Sequence, residues 1–286
     1  MTKTMIDKIK VKPFLRWAGG KNWFTKHIEE FLPNEFNNYY EPFLGGGSIF
    51  FYLKSKGLIK NKSYLSDSNG ELINTFRVIK SNTADLIKLL EKQKDSEDEY
   101  YLMRSQNFDN PIEQAAKFIY LNKTSFNGIY RVNRQGKYNV PYGKRKLKTL
   151  YDFDHFYEIS KMLEKTYLST TDFKNRCKQI DLNDFVFIDP PYTVAHENNG
   201  FVQYNQAIFS WKNQIQLSKI AQVLDEKKAN FLITNAYHQS IKDIYTNGRQ
   251  IPVSRSSTIG GVGAKRTNYK ELLITNIENG RKIVKR

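Results

Sequence analysis

The chain has 286 residues, 40% of them hydrophobic and 14% aromatic, enough for one large domain or a core domain with an insertion and unlike a disordered chain. Its 45 Lys and Arg against 29 Asp and Glu give a net charge of +16, an excess that points to a polyanion, most simply nucleic acid. No apolar run approaches the roughly 18 residues of a membrane-spanning helix, the first residues lack the apolar core of a signal peptide, and the single cysteine, Cys177, excludes an intrachain disulfide and fits a reducing cytoplasm.

Residues 1 to 12 are polar and basic and predict a loose arm. In Pro13-Phe14-Leu15-Arg16-Trp17-Ala18-Gly19-Gly20-Lys21, the glycine pair predicts a tight loop feeding a helix from Asn22 to Phe31. Glycines let the backbone approach a ligand closely, although a capped helix start reads the same way. The spacing is not that of a phosphate-binding P-loop, and no Ser or Thr follows the lysine. Next, Tyr39-Tyr40-Glu41-Pro42-Phe43-Leu44-Gly45-Gly46-Gly47-Ser48 predicts a short strand, a glycine-rich turn and a helix from Ser48 to Ser55. This is a first strand–helix unit of a nucleotide-binding sheet, without the full glycine spacing of a dinucleotide site. A second strand ends at Leu65-Ser66-Asp67-Ser68-Asn69, about twenty residues on, where Asp67 is placed to accept from both hydroxyls of a ribose. A helix from Gly70 to Lys80 completes the second unit.

From Asn82 to Lys165 helical patterns dominate (Ala84 to Lys94, Pro111 to Asn122, Phe153 to Glu164), which predicts an insertion between two halves of the sheet. Within it, Phe126-Asn127-Gly128 to Tyr138 carries Asn-Gly and Gln-Gly turn signals and predicts a hairpin or loop. Gln114 to Tyr151 holds nine Lys and Arg and no acid, with aromatics interleaved, a pattern suited to phosphate contact and base stacking. A strand from Tyr167 to Thr170 runs to Asp172-Phe173. A carboxylate and a ring there suit an adenine, and Asp172 equally suits the cap of the following helix.

Phe185-Val186-Phe187-Ile188 reads as a buried strand. Pro190 and Pro191 forbid both a continuing ladder and an immediate helix. Asp189 and Tyr192 are therefore held stiffly at the carboxyl end of a strand, where open α/β sheets bind ligands. Asp189 can accept from an amino group, the carbonyl beside Pro190 can accept a second hydrogen, and Tyr192 can stack on a planar ring. A plain strand-ending turn would look the same in isolation. The polar stretch Thr193 to Ser210, with Phe201, Tyr204 and Phe209, is long enough for a mobile lid. Helix Trp211 to Lys227, strand Asn230 to Thr234 and helix Tyr237 to Tyr245 continue the sheet. Thr246 to Lys270 has no acid and carries Gly260, Gly261, Gly263, Arg255, Lys265 and Arg266, which predicts a flexible basic loop before a last strand, Glu271 to Ile277. His27, His155, His196 and His238 show no metal spacing.

Taken in order, these stretches resemble the Dam-type DNA adenine methyltransferases, the class α amino-methyltransferases of restriction–modification systems and phages, over Pro13 to Asn276. The resemblance implies an α/β fold: a Rossmann-like S-adenosylmethionine-dependent methyltransferase sheet with an inserted, mostly helical target-recognition domain. The catalytic domain would comprise 13–81 and 165–280, and the target-recognition domain 82–164. Trp17, Lys21, Glu41, Phe43, Gly45, Gly47, Asp67, Asp172, Phe173 and Asp189 would bind S-adenosylmethionine. Asp189, Pro190, Pro191 and Tyr192 match the catalytic motif. Phe126, Asn127 and Arg131 match the recognition hairpin, whose arginine reads a guanine in related enzymes, and Asn133, Lys144 and Arg145 would join them on DNA, with Lys146 also on phosphate.

The expected reaction is methylation of the adenine amine in duplex DNA after base flipping, at a GATC-like site. Because the donor's positive sulfur already activates the methyl group, no metal is expected. The expected partner is double-stranded DNA, with no membrane, and a cognate restriction endonuclease would act separately on the same site. A cytoplasmic monomer is expected. An RNA adenine methyltransferase and a non-catalytic DNA-binding relative are the competing readings; the basic insertion disfavours a protein substrate.

Overall fold

A computed structural model describes residues 12–133, 135–144, 149–194, 209–256 and 268–278. The terminal arm before residue 12, Arg145, Lys146, most of the expected lid with Phe201 and Tyr204, and Gly260, Gly261, Gly263, Lys265 and Arg266 lie outside these residues.

Seven strands form one sheet: β1 (Tyr39–Glu41), β2 (Ser63–Asp67), β3 (Thr166–Thr170), β4 (Phe185–Ile188), β5 (Asn230–Ala236), β6 (Arg249–Ser256) and β7 (Asn268–Thr275), in the order β3-β2-β1-β4-β5-β7-β6. β1 pairs in parallel with β2 and β4, and β4 with β5, while β7 runs antiparallel to both β5 and β6. The order reverses between β1 and β4. The carboxyl ends of those two strands therefore flank the position where doubly wound sheets place their ligands. The register Tyr39↔Phe185 and Tyr40↔Val186 brings the ends of β1 and β4 side by side.

The chain divides into two compact units. The first comprises residues 1–21, 44–60 and 66–170, and the second 22–43, 61–65 and 171–286. The first unit contains α1 (Ser48–Ser55), α2 (Gly70–Ser81), α3 (Thr83–Leu90), α4 (Glu97–Ser105), α5 (Pro111–Thr124) and α6 (Phe153–Met162). Its core forms where α2 buries Leu72, Ile73, Phe76 and Ile79 and α5 buries Ala115, Ala116, Phe118 and Ile119. Phe14 meets Phe76 edge-on at 5.1 Å. Asn69 and Asn110 cap α2 and α5 by accepting from the amides of Leu72 and Ile112, and Pro111 takes the first turn, where its missing N–H costs nothing.

The second unit holds α7 (Phe173–Cys177), α8 (Trp211–Glu226) and α9 (Gln239–Ile244). Its core is a run of branched aliphatic and aromatic residues: Val186 and Ile188 of β4, Phe231 and Ile233 of β5, Leu272 and Ile274 of β7. These pack with Leu217, Ala221 and Leu224 of α8. Each such side chain, fully buried, contributes about 1.5–3 kcal/mol.

Two expectations are corrected. Asn22 to Phe31 is not a continuous helix but two 3-10 turns, Phe24–Lys26 and Ile28–Phe31. The run is rich in aromatic residues, which lose rotamer freedom in a helix, and no side chain caps its start. The basic stretch after Thr246 is not wholly a loop: Arg249–Ser256 forms β6, and β7 already begins at Asn268. Pro252 fits there because β6 is the sheet's edge strand. α4 adds a helix within the stretch read as mostly helical, one not singled out because only Tyr100 of its nine residues is buried. No helix among the described residues is long and apolar enough to cross a membrane.

Candidate active site

In the first unit the glycine turn is built against Trp17. Gly45 has φ +48°, and a Cβ on it would lie 2.8 Å from Trp17 Cδ1, so only glycine lets this backbone sit on the indole. The indole also stacks on Tyr130, with centroids 5.4 Å apart and planes 20° apart. Gly47, at φ +70°, precedes α1 in the left-handed conformation. The Gly45 amide donates to Asp67 Oδ2 at 3.0 Å, and the Asn69 amide donates to Oδ1 at 3.0 Å. Burial pushes the Asp67 carboxyl upward in pKa, against the opposing pull of the Asn69, Gly45 and Ser68 amides. Lys21 is buried and donates from Nζ to the Gly19 carbonyl at 3.0 Å. Thus Trp17, Gly45 and Asp67 form one connected group.

In the second unit Glu41 ends β1, buried, and accepts from the Tyr39 hydroxyl at 2.7 Å. Phe43 stacks on Phe173 at 5.3 Å. Phe209 closes the trio, 5.6 Å from Phe43 and 5.4 Å from Phe173. Asp172 caps α7 by accepting from the Lys174 amide at 2.8 Å. Phe209 was read from the sequence as part of a lid and not as a member of this trio, because it stands in a long polar stretch with no periodicity.

At the end of β4 the chain turns through Pro190, which is buried, and Pro191. Asp189 Oδ1 accepts from Thr234 Oγ1 at 2.6 Å. The Tyr192 hydroxyl donates to Glu271 Oε2 at 2.7 Å. Burial first, then the charges of Glu271 and Asp189, raise the Tyr192 phenol far above the ordinary tyrosine value, so it remains a neutral donor. Thr234 and Glu271 are fully buried supports that no motif announces. They arrive through register: Ile188 faces Ile233, and Ala236 faces Glu271. The arrangement presents a half-exposed carboxylate and a fixed aromatic ring at a sheet's carboxyl edge, which suits holding a planar base by its amine.

The recognition residues lie in the first unit. Phe126 is 51% exposed, and Asn127 sits in a tight turn at φ +56°. Arg131 donates from Nε to Asn139 Oδ1 at 2.9 Å, and Val132 bridges Tyr138, so the predicted hairpin is a small closed loop. Asn133 shapes that loop from inside, its Oδ1 accepting from the Gln135 and Lys137 amides. Lys144 is exposed, with Glu97 3.8 Å away.

The model of the D12 class N6 adenine-specific DNA methyltransferases matches residues 17–259. A type II methyltransferase of Lactococcus lactis subsp. cremoris, M1.LlaDCHI, is 33% identical over 283 residues, covering 96% of this chain and 98% of its own. M.MjaIII, a type II methyltransferase of Methanocaldococcus jannaschii, is 36% identical over 289 residues, covering 94% of this chain and 100% of its own. A DNA adenine methylase of Escherichia coli is 27% identical over 270 residues, covering 92% and 95%. With the doubly wound sheet and the proline-locked Asp189 and Tyr192, these matches establish that the chain belongs to the D12 class of adenine-specific DNA methyltransferases.

Proposed function

We propose that this DNA methyltransferase takes its methyl group from S-adenosylmethionine and places it on the exocyclic amine of an adenine flipped out of duplex DNA, within a GATC-like site. The observation that carries the reading is Asp189, held by Thr234 at 2.6 Å where the strand order reverses. An adenine amine is a poor nucleophile because its lone pair is conjugated with the ring. Asp189 and the carbonyl beside Pro190 accept its two hydrogens and turn the lone pair outward. Tyr192 stacks on the base, worth roughly 1–3 kcal/mol against the few kcal/mol that unstacking costs. Asp189 would also take the proton that the amine nitrogen gives up on being methylated.

The donor-binding residues fit the assigned group. S-adenosylmethionine, when bound, supplies a methyl carbon on a positively charged sulfur. Asp67 already accepts from the Gly45 and Asn69 amides, with the Ser68 amide also drawing on it, yet a carboxylate has about four acceptor sites, so capacity remains for a ribose hydroxyl. Gly45 keeps the loop free of a side chain at its contact with Trp17. The ring trio of Phe43, Phe173 and Phe209 suits an adenine face. Lys21, Glu41 and Gly47 complete the assigned set, with Asp172 directed at the adenine amine besides its capping role.

Residues 82–164 serve as the target-recognition domain in this reading, and 13–81 with 165–280 as the catalytic domain. Arg131 reads a guanine edge; Phe126, Asn127, Asn133 and Lys144 contact the DNA around it. The enzyme acts as a monomer in the cytoplasm, with a separate restriction endonuclease as its counterpart. Incubation with labelled S-adenosylmethionine and duplex DNA, RNA or protein tests the assignment. Label on adenine in duplex DNA is expected. Label on RNA alone, or on nothing, would overturn it. Methylation-sensitive sequencing of DNA from expressing cells then reads the site.

A further inference from the structure

A cleft of about 810 Å³ in the second unit is used by none of the roles above. One wall is a face of α8. Gln216, Lys219, Ile220, Val223, Leu224 and Lys227 recur there at steps of three and four residues, over roughly 16 Å of helix. The other wall is α7 and the residue after it, which bring Lys174, Cys177 and Lys178. Four of these residues are apolar: Cys177, Ile220, Val223 and Leu224. Cys177 and Leu224 are buried, but Val223 is 48% exposed, where a surface helix ordinarily turns a polar side chain. Burial pushes the Cys177 thiol up to about 12, so it stands here as a neutral apolar group and not as a nucleophile.

The charge of the lining is one-sided. Lys174, Lys178, Lys219 and Lys227 stand against a single acid, Asp172, whose carboxylate already caps α7 and lies 3.7 Å from Lys174. Lys227 Nζ donates to the Ile180 carbonyl at 2.8 Å. Among the described residues no carboxylate lies within ion-pair distance of Lys178, Lys219 or Lys227. A nucleic-acid phosphate would satisfy the ammonium groups but gain nothing from the apolar residues. The surface that uses both is apolar along one stripe and acidic beside it, spaced as a helix is. No segment outside the described residues supplies it, for the acids there are Asp7 and Glu197 alone, and a net charge of +16 opposes a second copy. We propose that the cleft between α7 and α8 docks an acidic amphipathic helix of a partner protein. Its apolar stripe lies on Ile220, Val223 and Leu224, and its carboxylates lie among the four lysines. Docking there is separate from methyl transfer and stands or falls without it.

The test measures fluorescence anisotropy of a labelled peptide of about fifteen residues on the full-length enzyme, with leucine at every third or fourth position and glutamate and alanine elsewhere. A peptide of the same composition with the leucine spacing scrambled is measured alongside. The ordered peptide should bind saturably at one site, roughly tenfold more tightly than the scrambled one. Val223→Glu puts a carboxylate under the apolar stripe and should weaken the ordered peptide by roughly tenfold. Lys178→Gln with Lys219→Gln should weaken it several-fold and flatten its salt dependence. All three positions are exposed and outside the methyl-transfer machinery, so thermal melting and the methylation rate on duplex DNA should match the wild type. Equal binding of the two peptides, or undiminished binding to both variants, would reduce the effect to a general attraction of acid to a basic protein and overturn the site. Displacement of the peptide by duplex DNA, with DNA affinity lowered in the lysine variant, would give the cleft to phosphates and overturn it too. So would a wild type that light scattering shows as a dimer and Val223→Glu as a monomer, which would seat a second copy there, or binding of phosphatidylserine vesicles that Val223→Glu abolishes.

Discussion

At Asp189 a hydrogen bond from the sheet bears on which way a carboxylate faces. Thr234 Oγ1 donates to Oδ1 at 2.6 Å from inside the sheet, which favours one side-chain orientation. Replacing Asp189 with Ala should leave folding and DNA binding intact and lower methyl transfer by orders of magnitude; single-turnover assays with labelled donor measure this, and substantial remaining activity would remove Asp189 from the chemistry. Thr234→Val keeps the shape but deletes the donor. A hydrogen bond to a charged group is worth about 1.5–3 kcal/mol, so kcat should drop by roughly 10- to 100-fold with donor affinity preserved. Thr234→Ser should restore most of the rate. A valine variant as fast as the wild type would show that Asp189 orients itself without this support.

In the proposed function, the glycine turn and the loop that carries Arg131 act as elements, through backbone shape. Gly45→Ala places a Cβ against the Trp17 indole at a positive φ, a strain of roughly 1–3 kcal/mol. It should raise the KM for donor several-fold, read by donor titration, with the KM for DNA little changed. In the recognition loop the Arg131 guanidinium is steadied by Asn139. Arg131→Ala should relax choice at one base pair by about 1–3 kcal/mol, whereas Lys144→Ala should weaken all sequences alike. Rates on a panel of single-base variants separate the two, and uniform losses from both would dissolve the distinction.

Elements whose signals are local were legible in the sequence. α1 and β4 fall on their expected bounds because a glycine turn precedes one and two prolines follow the other. The acid after the second strand was marked by its spacing for a ribose, and its bond to the Gly45 amide adds to that spacing a contact the sequence did not announce. What was missed is non-local. β6 is basic and contains Pro252, and it is a strand only because β7 pairs with it. Thr234 and Glu271 reach the site through strand register, which leaves no trace in either segment alone.

Across the whole molecule the net charge of +16 sets how DNA is met before any base is read. Nine basic residues without one acid lie between Gln114 and Tyr151, in the stretch that carries the recognition loop. Each phosphate neutralised by Lys or Arg releases condensed counterions, so affinity should fall with salt at a slope of about −0.9 per contact. With six or more contacts, raising salt from about 50 to 200 mM would cost on the order of a thousandfold in affinity. In the proposed reaction the base is held by Asp189 and Tyr192, where dissolved ions screen little. Salt should therefore raise the KM for duplex DNA steeply and leave kcat at saturating DNA nearly constant. Steady-state kinetics at four or five salt concentrations measure both. A KM indifferent to salt would mean that the charge serves something other than DNA capture, whereas a kcat falling in parallel would place phosphate contacts in the methyl-transfer step itself.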